Sequence, residues 1–266
     1  MDNTIEKHNL LKVVYRFFGI PDKTRELGFD ERESINTTRK ELTDRMKDLE
    51  LQICGGAVLS TFTNTAVNDL DFYMLNPDKL NSIHAFFLEW FPEDVFITNN
   101  ATTYKRKGKQ NKIYTVQLVT RFSGDSRKIF DTFDFTITQC MYNFSTGDFE
   151  FGERFLQDVA KRKLVYSGGS SYPICAMFRT LKYQERGYKL SGATIMHISL
   201  SIVRLKIETY GQLKDQLMGI DTMYLQGLLG GEDYMDNLPV DYGKFIHDAF
   251  ERIDGVVRAD EEEEEK

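Results

Sequence analysis

The chain has 266 residues, with 34 Lys and Arg against 41 Asp and Glu and a net charge of −7, which excludes a protein that coats nucleic acid indiscriminately. No apolar run approaches the ~18 residues that span a bilayer, and the N-terminal segment lacks a signal-peptide pattern, so a cytoplasmic chain with no membrane partner is expected. Cys54, Cys140 and Cys175 are widely spaced, which reads as free thiols in a reducing compartment, and the four histidines lack zinc-ligand spacing.

In chain order, Leu10, Leu11, Val14 and Phe17-Phe18 recur at helical spacing, and a second helix is expected from about Asn36 to Leu49 with Asn36 or Thr37 as cap. Leu51 to Cys54 is a short apolar strand that ends at Gly55-Gly56. Asp69 to Leu75 alternates, with Leu70, Phe72 and Met74 on one face and Asp69, Asp71 and Tyr73 on the other. A helix over Pro77–Trp90 closes at Phe91-Pro92, and strands follow at Val95–Thr98, Thr102–Lys105 and Ile113–Val119. The last two are joined by a loop with five cations in eight residues: Lys105, Arg106, Lys107, Lys109 and Lys112. Phe133 to Tyr142 alternates again, and Ser145-Thr146-Gly147-Asp148 signals a turn before Phe149-Glu150-Phe151.

The pattern predicts an α+β fold, a mixed sheet flanked by helices and followed by a mostly helical C-terminal domain. The Gly/Ser-rich stretch Tyr166–Ser171 marks a flexible boundary, giving domains at 1–168 and 169–258 and an acidic disordered tail at 259–266. Beyond the boundary, a helix is expected with Ile174, Met177, Phe178 and Leu181 on one side and Arg179, Lys182 and Arg186 on another. Further helices are expected around Ser199–Gly219 and Asp241–Val257.

Two features point to phosphate chemistry. A glycine pair lets backbone approach a phosphate, and Asp69-Leu70-Asp71, after a gap of twelve residues, sets two carboxylates on one strand face. Transfer of a nucleotide needs oxygen ligands for magnesium, which neutralises the triphosphate and activates the attacking hydroxyl. Asp134, in Phe133-Asp134-Phe135-Thr136-Ile137, points away from the core of its expected strand and is the natural third ligand; Asp131 is a weaker candidate.

Gly55-Gly56-Ala57-Val58 with Asp69-Leu70-Asp71 resembles the signature of the DNA polymerase beta-like nucleotidyltransferase superfamily. The stretch Asp134-Phe135-Thr136-Ile137-Thr138 through Gly147 resembles the "RRDFTINAM" element and following hairpin of class II tRNA nucleotidyltransferases and bacterial poly(A) polymerases. Pro173, Arg179-Thr180-Leu181-Lys182-Tyr183 and Gly187-Tyr188 look like the helix opening that family's neck. The resemblance covers about residues 40 to 190. It implies a five-stranded head holding two Mg²⁺ ions, with a helical neck over an incoming NTP. On it, Gly55, Gly56 and Ser60 cradle the triphosphate, Asp69, Asp71 and Asp134 hold metal, and Arg179, Lys182 and Tyr183 bind nucleotide from the neck. The family's two arginines before the Asp are here Thr132 and Phe133, its base-reading neck element has no counterpart near Ser171-Tyr172-Pro173, and about 80 residues follow the first neck helix.

The leading expectation is transfer of NMP from an NTP to an RNA 3′ end, with the basic loop holding the acceptor. Nucleotidylation of a protein or small molecule is the alternative favoured by the acidic charge. A non-catalytic nucleotide- or RNA-binding module is a third reading, opposed by the retained carboxylates.

Overall fold

Leu10, Val14 and Phe17 lie one helical turn apart, and all three are buried on one face of the first helix, α1 (Thr4–Phe17). The computed structural model describes residues 3–22, 28–217 and 234–249. The chain divides into two compact units, Met1–Gly169 and Ser170–Lys266.

In the first unit α1 is followed by α2 (Phe29–Asp48), β1 (Leu51–Cys54), α3 (Gly56–Thr63), β2 (Asp69–Met74), α4 (Leu80–Trp90), β3 (Asp94–Ile97), β4 (Ala101–Lys107), β5 (Ile113–Ser123), α5 (Ser126–Phe130), β6 (Cys140–Asn143), β7 (Asp148–Phe151) and α6 (Phe155–Ala160). The strands form one mixed sheet in the order β3-β4-β5-β2-β1-β6-β7. β2 and β5 run parallel and every other pair is antiparallel. The mixed sheet flanked by helices is the fold class expected, but it carries seven strands where five were implied. The extra ones are edge strands, which close the hairpins β3–β4 and β6–β7.

One sheet face is apolar. Leu70, Phe72, Ile53, Val116 and Leu118 are fully buried there. Phe18, just beyond α1, meets Phe72 of β2 and Phe86, Phe87, Trp90 and Phe91 of the α4 segment, so a single aromatic cluster ties α1 and α4 to the sheet. The hydroxyl of Tyr104 on β4 bonds Nδ1 of His84 on α4. Burial holds the His84 imidazole below its ordinary range and pushes the Tyr104 phenol up.

α2 begins at Phe29, with Gly28 as N-cap, so Asn36 and Thr37 are internal; the Thr37 hydroxyl donates back to Glu33 O at 2.9 Å. Phe133 to Tyr142 is not one strand. Thr136–Thr138 winds into a 3₁₀ turn, and the strand proper is Cys140–Asn143. The turn buries Phe135 and Ile137 as well as a pleat would, and that satisfies the alternation.

The second unit contains α7 (Pro173–Glu185), α8 (Gly192–Val203) and α9 (Tyr210–Leu217), with a helical segment at 242–249. The helix expected over Ser199–Gly219 is therefore two. Thr209-Tyr210-Gly211-Gln212 forms a capping box that starts α9: Gln212 Oε1 accepts from the Thr209 N–H at 3.2 Å, and Thr209 Oγ1 accepts from the Gln212 N–H at 3.4 Å. Tyr210, Leu213 and Tyr234 form a small core. On α7 the buried side is Cys175, Ala176, Thr180 and Tyr183, whereas Phe178 and Leu181 are exposed. The acidic tail lies outside the described residues.

Candidate active site

The turn after β1 is shaped by Gly55. Its φ of +71° and ψ of −128° belong to a region that a side chain disfavours, and the chain reverses there into α3. The Gly55 N–H donates to Cys140 O at 2.9 Å, and Gly55 O accepts from Leu59 N at 3.0 Å and from the Cys140 thiol at 3.4 Å. Gly55 thus supplies conformation, and its N–H is engaged within the fold. Geometry leaves the N–H groups of Gly56, Ala57 and Val58 as the first-turn donors of α3, where a helix end attracts anions. A Cβ at Gly56 would meet nothing within 4 Å. Ser60 lies in the next turn of α3 and is 3% exposed.

β1 and β2 are antiparallel, with Ile53 opposite Phe72, so Cys54 lies beside Asp71 and the Gly55 turn stands over the start of β2. Asp69 is exposed and Asp71 half-buried, on one face of β2. Burial first, then the neighbouring Cys140 thiol and the Asp71 and Glu150 carboxylates, hold the Cys54 thiol well above its ordinary range. Register extends this face: Thr115 of β5 pairs with Asp69 and Gln117 with Asp71, Lys105 and Thr103 of β4 pair with these in turn, and Asp94 and Phe96 of β3 complete the two rows. Gln117 Nε2 donates to Thr103 Oγ1 at 3.1 Å, which fixes the amide's orientation. The other end of the face is closed by Tyr73, Ile129, Phe130 and Met141, with Val119, Phe122 and Phe133 packed on them. The carboxylates therefore sit where a covered face gives way to an open one. Thr103, Thr115, Gln117 and Phe96 escaped the sequence reading because register, unlike alternation, is not written in local pattern.

Asp134 sits in the loop before the 3₁₀ turn and is 7% exposed. Its carbonyl accepts from the Ser167 N–H at 2.8 Å, the Ser167 hydroxyl bonds Phe133 O, and Phe135 bridges Tyr166. The stretch expected to be a flexible connection is thus pinned at Tyr166-Ser167. Gly169 follows against Asp131, whose carbonyl oxygen would lie 1.8 Å from an added Cβ. The turn itself is anchored by Asp158, fully buried, which accepts from Thr136 Oγ1 at 2.7 Å and from Arg154 at 3.1 and 3.2 Å. Among the described residues no group of three or more His, Cys, Asp or Glu side chains is gathered to hold a metal, so Asp134 is not assembled with Asp69 and Asp71 into one ligand set. The pair still suits magnesium, an all-oxygen cation that keeps several waters and takes phosphate oxygens from its substrate.

The basic stretch forms the β4–β5 hairpin, and alternation divides its cations. Lys105 and Lys107 share the carboxylate face, with Lys105 3.7 Å from Asp94. Arg106 points the other way. It donates to Phe17 O at 2.8 Å and Arg16 O at 3.3 Å and stacks on Tyr114, capping the C-terminus of α1. Lys109 is exposed at the tip, and Lys112 lies over the Tyr114 ring. In the second unit Arg179 is half-buried and Lys182 exposed on α7, while Tyr183 is 6% exposed against Tyr188 in that unit's interior.

Residues 30–162 match the model of a family described as Gabija anti-defense 2 family protein. The chain belongs to that family. Over 184 residues it is 33% identical to the Gabija anti-defense 2 protein of Bacillus phage SPbetaL7, a match that covers 68% of this chain and 44% of the relative. Among solved structures, this Gabija anti-defense 2 family chain is similar to a tRNA nucleotidyltransferase complexed with a primer tRNA and an incoming ATP analog, at 18% identity and a TM-score of 0.49. That match covers 66% of this chain and 54% of the enzyme. It is also similar to the Thermotoga maritima CCA-adding enzyme complexed with tRNA, at 13% identity and a TM-score of 0.49, over 77% of this chain and 49% of that one. The chain thus spans about half the length of the proteins it matches.

Proposed function

We propose that this Gabija anti-defense 2 family chain is a nucleotidyltransferase, moving NMP from an NTP to an acceptor hydroxyl, and that the transfer is its means of acting against the Gabija defence. The observation that carries the reading is the β1–β2 register, which sets a glycine turn and a helix N-terminus against two carboxylates on one strand face. Bound magnesium would supply charge neutralisation of the triphosphate and a more acidic acceptor hydroxyl. Asp69 and Asp71 would hold it. Gly56 and the first-turn N–H groups of α3 would take phosphate oxygens, and the apolar wall around Tyr73 and Phe133 would keep water from that side. The bond formed joins the acceptor oxygen to the α-phosphorus, pyrophosphate leaves, and the hydroxyl proton passes to solvent.

Two acceptors fit. An RNA 3′ end suits the lysines of β4, and a protein or small molecule of the defence suits the acidic chain and the family description. The test is incubation with Mg²⁺ and labelled NTPs in extract from cells that carry the Gabija defence. A labelled acceptor is expected, with labelling abolished by Asp71→Ala while the far-UV circular dichroism is unchanged. No labelled product with any NTP would sink the enzyme reading, and an Asp71→Ala chain that still neutralises the defence would separate transfer from that role.

A further inference from the structure

The two register rows put an aromatic ring, one lysine and three hydrogen-bonding side chains on the face that leads away from Asp69 and Asp71, and Lys107 adds a second lysine beyond them. Phe96 on β3 lies three strand spacings from Asp71, about 14 Å, and is 64% exposed. Lys105 lies two spacings from Asp69, about 10 Å, and Lys107 continues the same face toward the hairpin tip. Thr115, Gln117 and Thr103 occupy the ground between. The ion pair of Lys105 with Asp94 is long and exposed, with side chains 43% and 63% accessible, so a phosphate can replace the carboxylate at little cost. Arg106, on the opposite face and committed to α1, takes no part.

We propose that this open face of β3, β4 and β5 seats a short single-stranded nucleic acid, with its phosphates on Lys105 and Lys107 and a base stacked on Phe96. The seat rests on the nucleotidyl-transfer reading for its purpose, since a strand laid here delivers its terminal hydroxyl to Asp69 and Asp71. Nucleic acid is favoured over protein because two cations, an aromatic ring and hydrogen-bonding groups lie within a few strand spacings of one another on the carboxylate face, with Ile113 as an apolar neighbour of Lys107. Every nucleic-acid base offers a face to Phe96 and every linkage a charge to lysine. Val95 and Ile97, which would suit a protein strand, project from the other face of the same edge.

The test is fluorescence anisotropy with labelled oligouridylate and oligothymidylate, which separates RNA from DNA. Phe96→Ala is expected to weaken binding by roughly 5- to 150-fold, the range for loss of one stacked base, and Phe96→Tyr to restore it. The double variant Lys105→Gln/Lys107→Gln is expected to lower the salt slope by about 0.7 for each lysine. Phe96 is exposed on an edge strand, and circular dichroism checks that each variant folds. Equal affinity for the wild type and Phe96→Ala, or no binding of either oligonucleotide, overturns the seat. Label transferred to a protein without oligonucleotide binding overturns the seat and leaves transfer standing. Phe96-dependent binding without transfer from any NTP upholds the seat and sinks the transfer.

Discussion

Gly55 and Gly56 are adjacent in the chain and do different things. At Gly55 the left-handed φ makes any side chain strained, so Gly55→Ala should destabilise the fold by about 1–3 kcal/mol, read as a lower urea midpoint. At Gly56 an added methyl meets only open space, so Gly56→Ala should fold as well as wild type yet bind MgATP more weakly, because that space is where a phosphate must approach. Equal MgATP affinity in Gly56→Ala and wild type would remove the phosphate role from the turn. Gln52 on β1 is fully buried with neither amide atom bonded to a protein group. Burying an unmet amide costs about 1–3 kcal/mol, so the near-isosteric Gln52→Met should raise the urea midpoint by a comparable stabilisation. A lower midpoint would show that the amide has a favourable role. None of this was visible in the sequence: the glycine pair could be read there, but which glycine bends and which stays open depends on Cys140, far along the chain.

Among the elements, those with one buried face were legible. Leu70, Phe72 and Met74 announced β2, and Phe91-Pro92 marked the end of α4. The Asp134 stretch was misread because apolar alternation constrains which side chains are inside and not how the backbone brings them there. The two-helix break before α9 was legible in principle as the Thr-x-x-Gln capping box. The α4–β4 contact supplies a pH prediction. His84 is held below its ordinary range by burial, so on acidification through about 6.5 the unfolded chain takes up a proton that the folded chain resists. Stability is therefore full above that pH and falls below it. His84→Gln should lose less stability than wild type between pH 7.5 and pH 5.5, and a gap between their urea midpoints that stays constant with pH would show that His84 does not contribute.

At the scale of the molecule, the sheet, its aromatic cluster and both rows of the candidate site belong to residues 1–169, while the second unit has its own small core around Tyr210 and Tyr234. Residues 1–169 expressed alone should therefore unfold cooperatively in urea; a broad, non-cooperative transition would show that the first unit does not stand by itself. The shift from mixed to helical pattern made the two regions legible, whereas the basic run misled by looking like a single clamp: alternation sends Lys105 and Lys107 one way and Arg106 the other. The parallel pairing of β2 with β5 has a consequence in time. Asp69 and Asp71 are synthesised early, but their neighbours Thr115 and Gln117 arrive only after α4 and the β3–β4 hairpin have been made. Non-local pairing of this kind closes late, because the loop entropy precedes the contacts that offset it. A growing chain therefore carries Asp69 and Asp71 for some forty residues of translation before β5 can pair beside them, and Cys140, which fixes the Gly55 turn, follows later still.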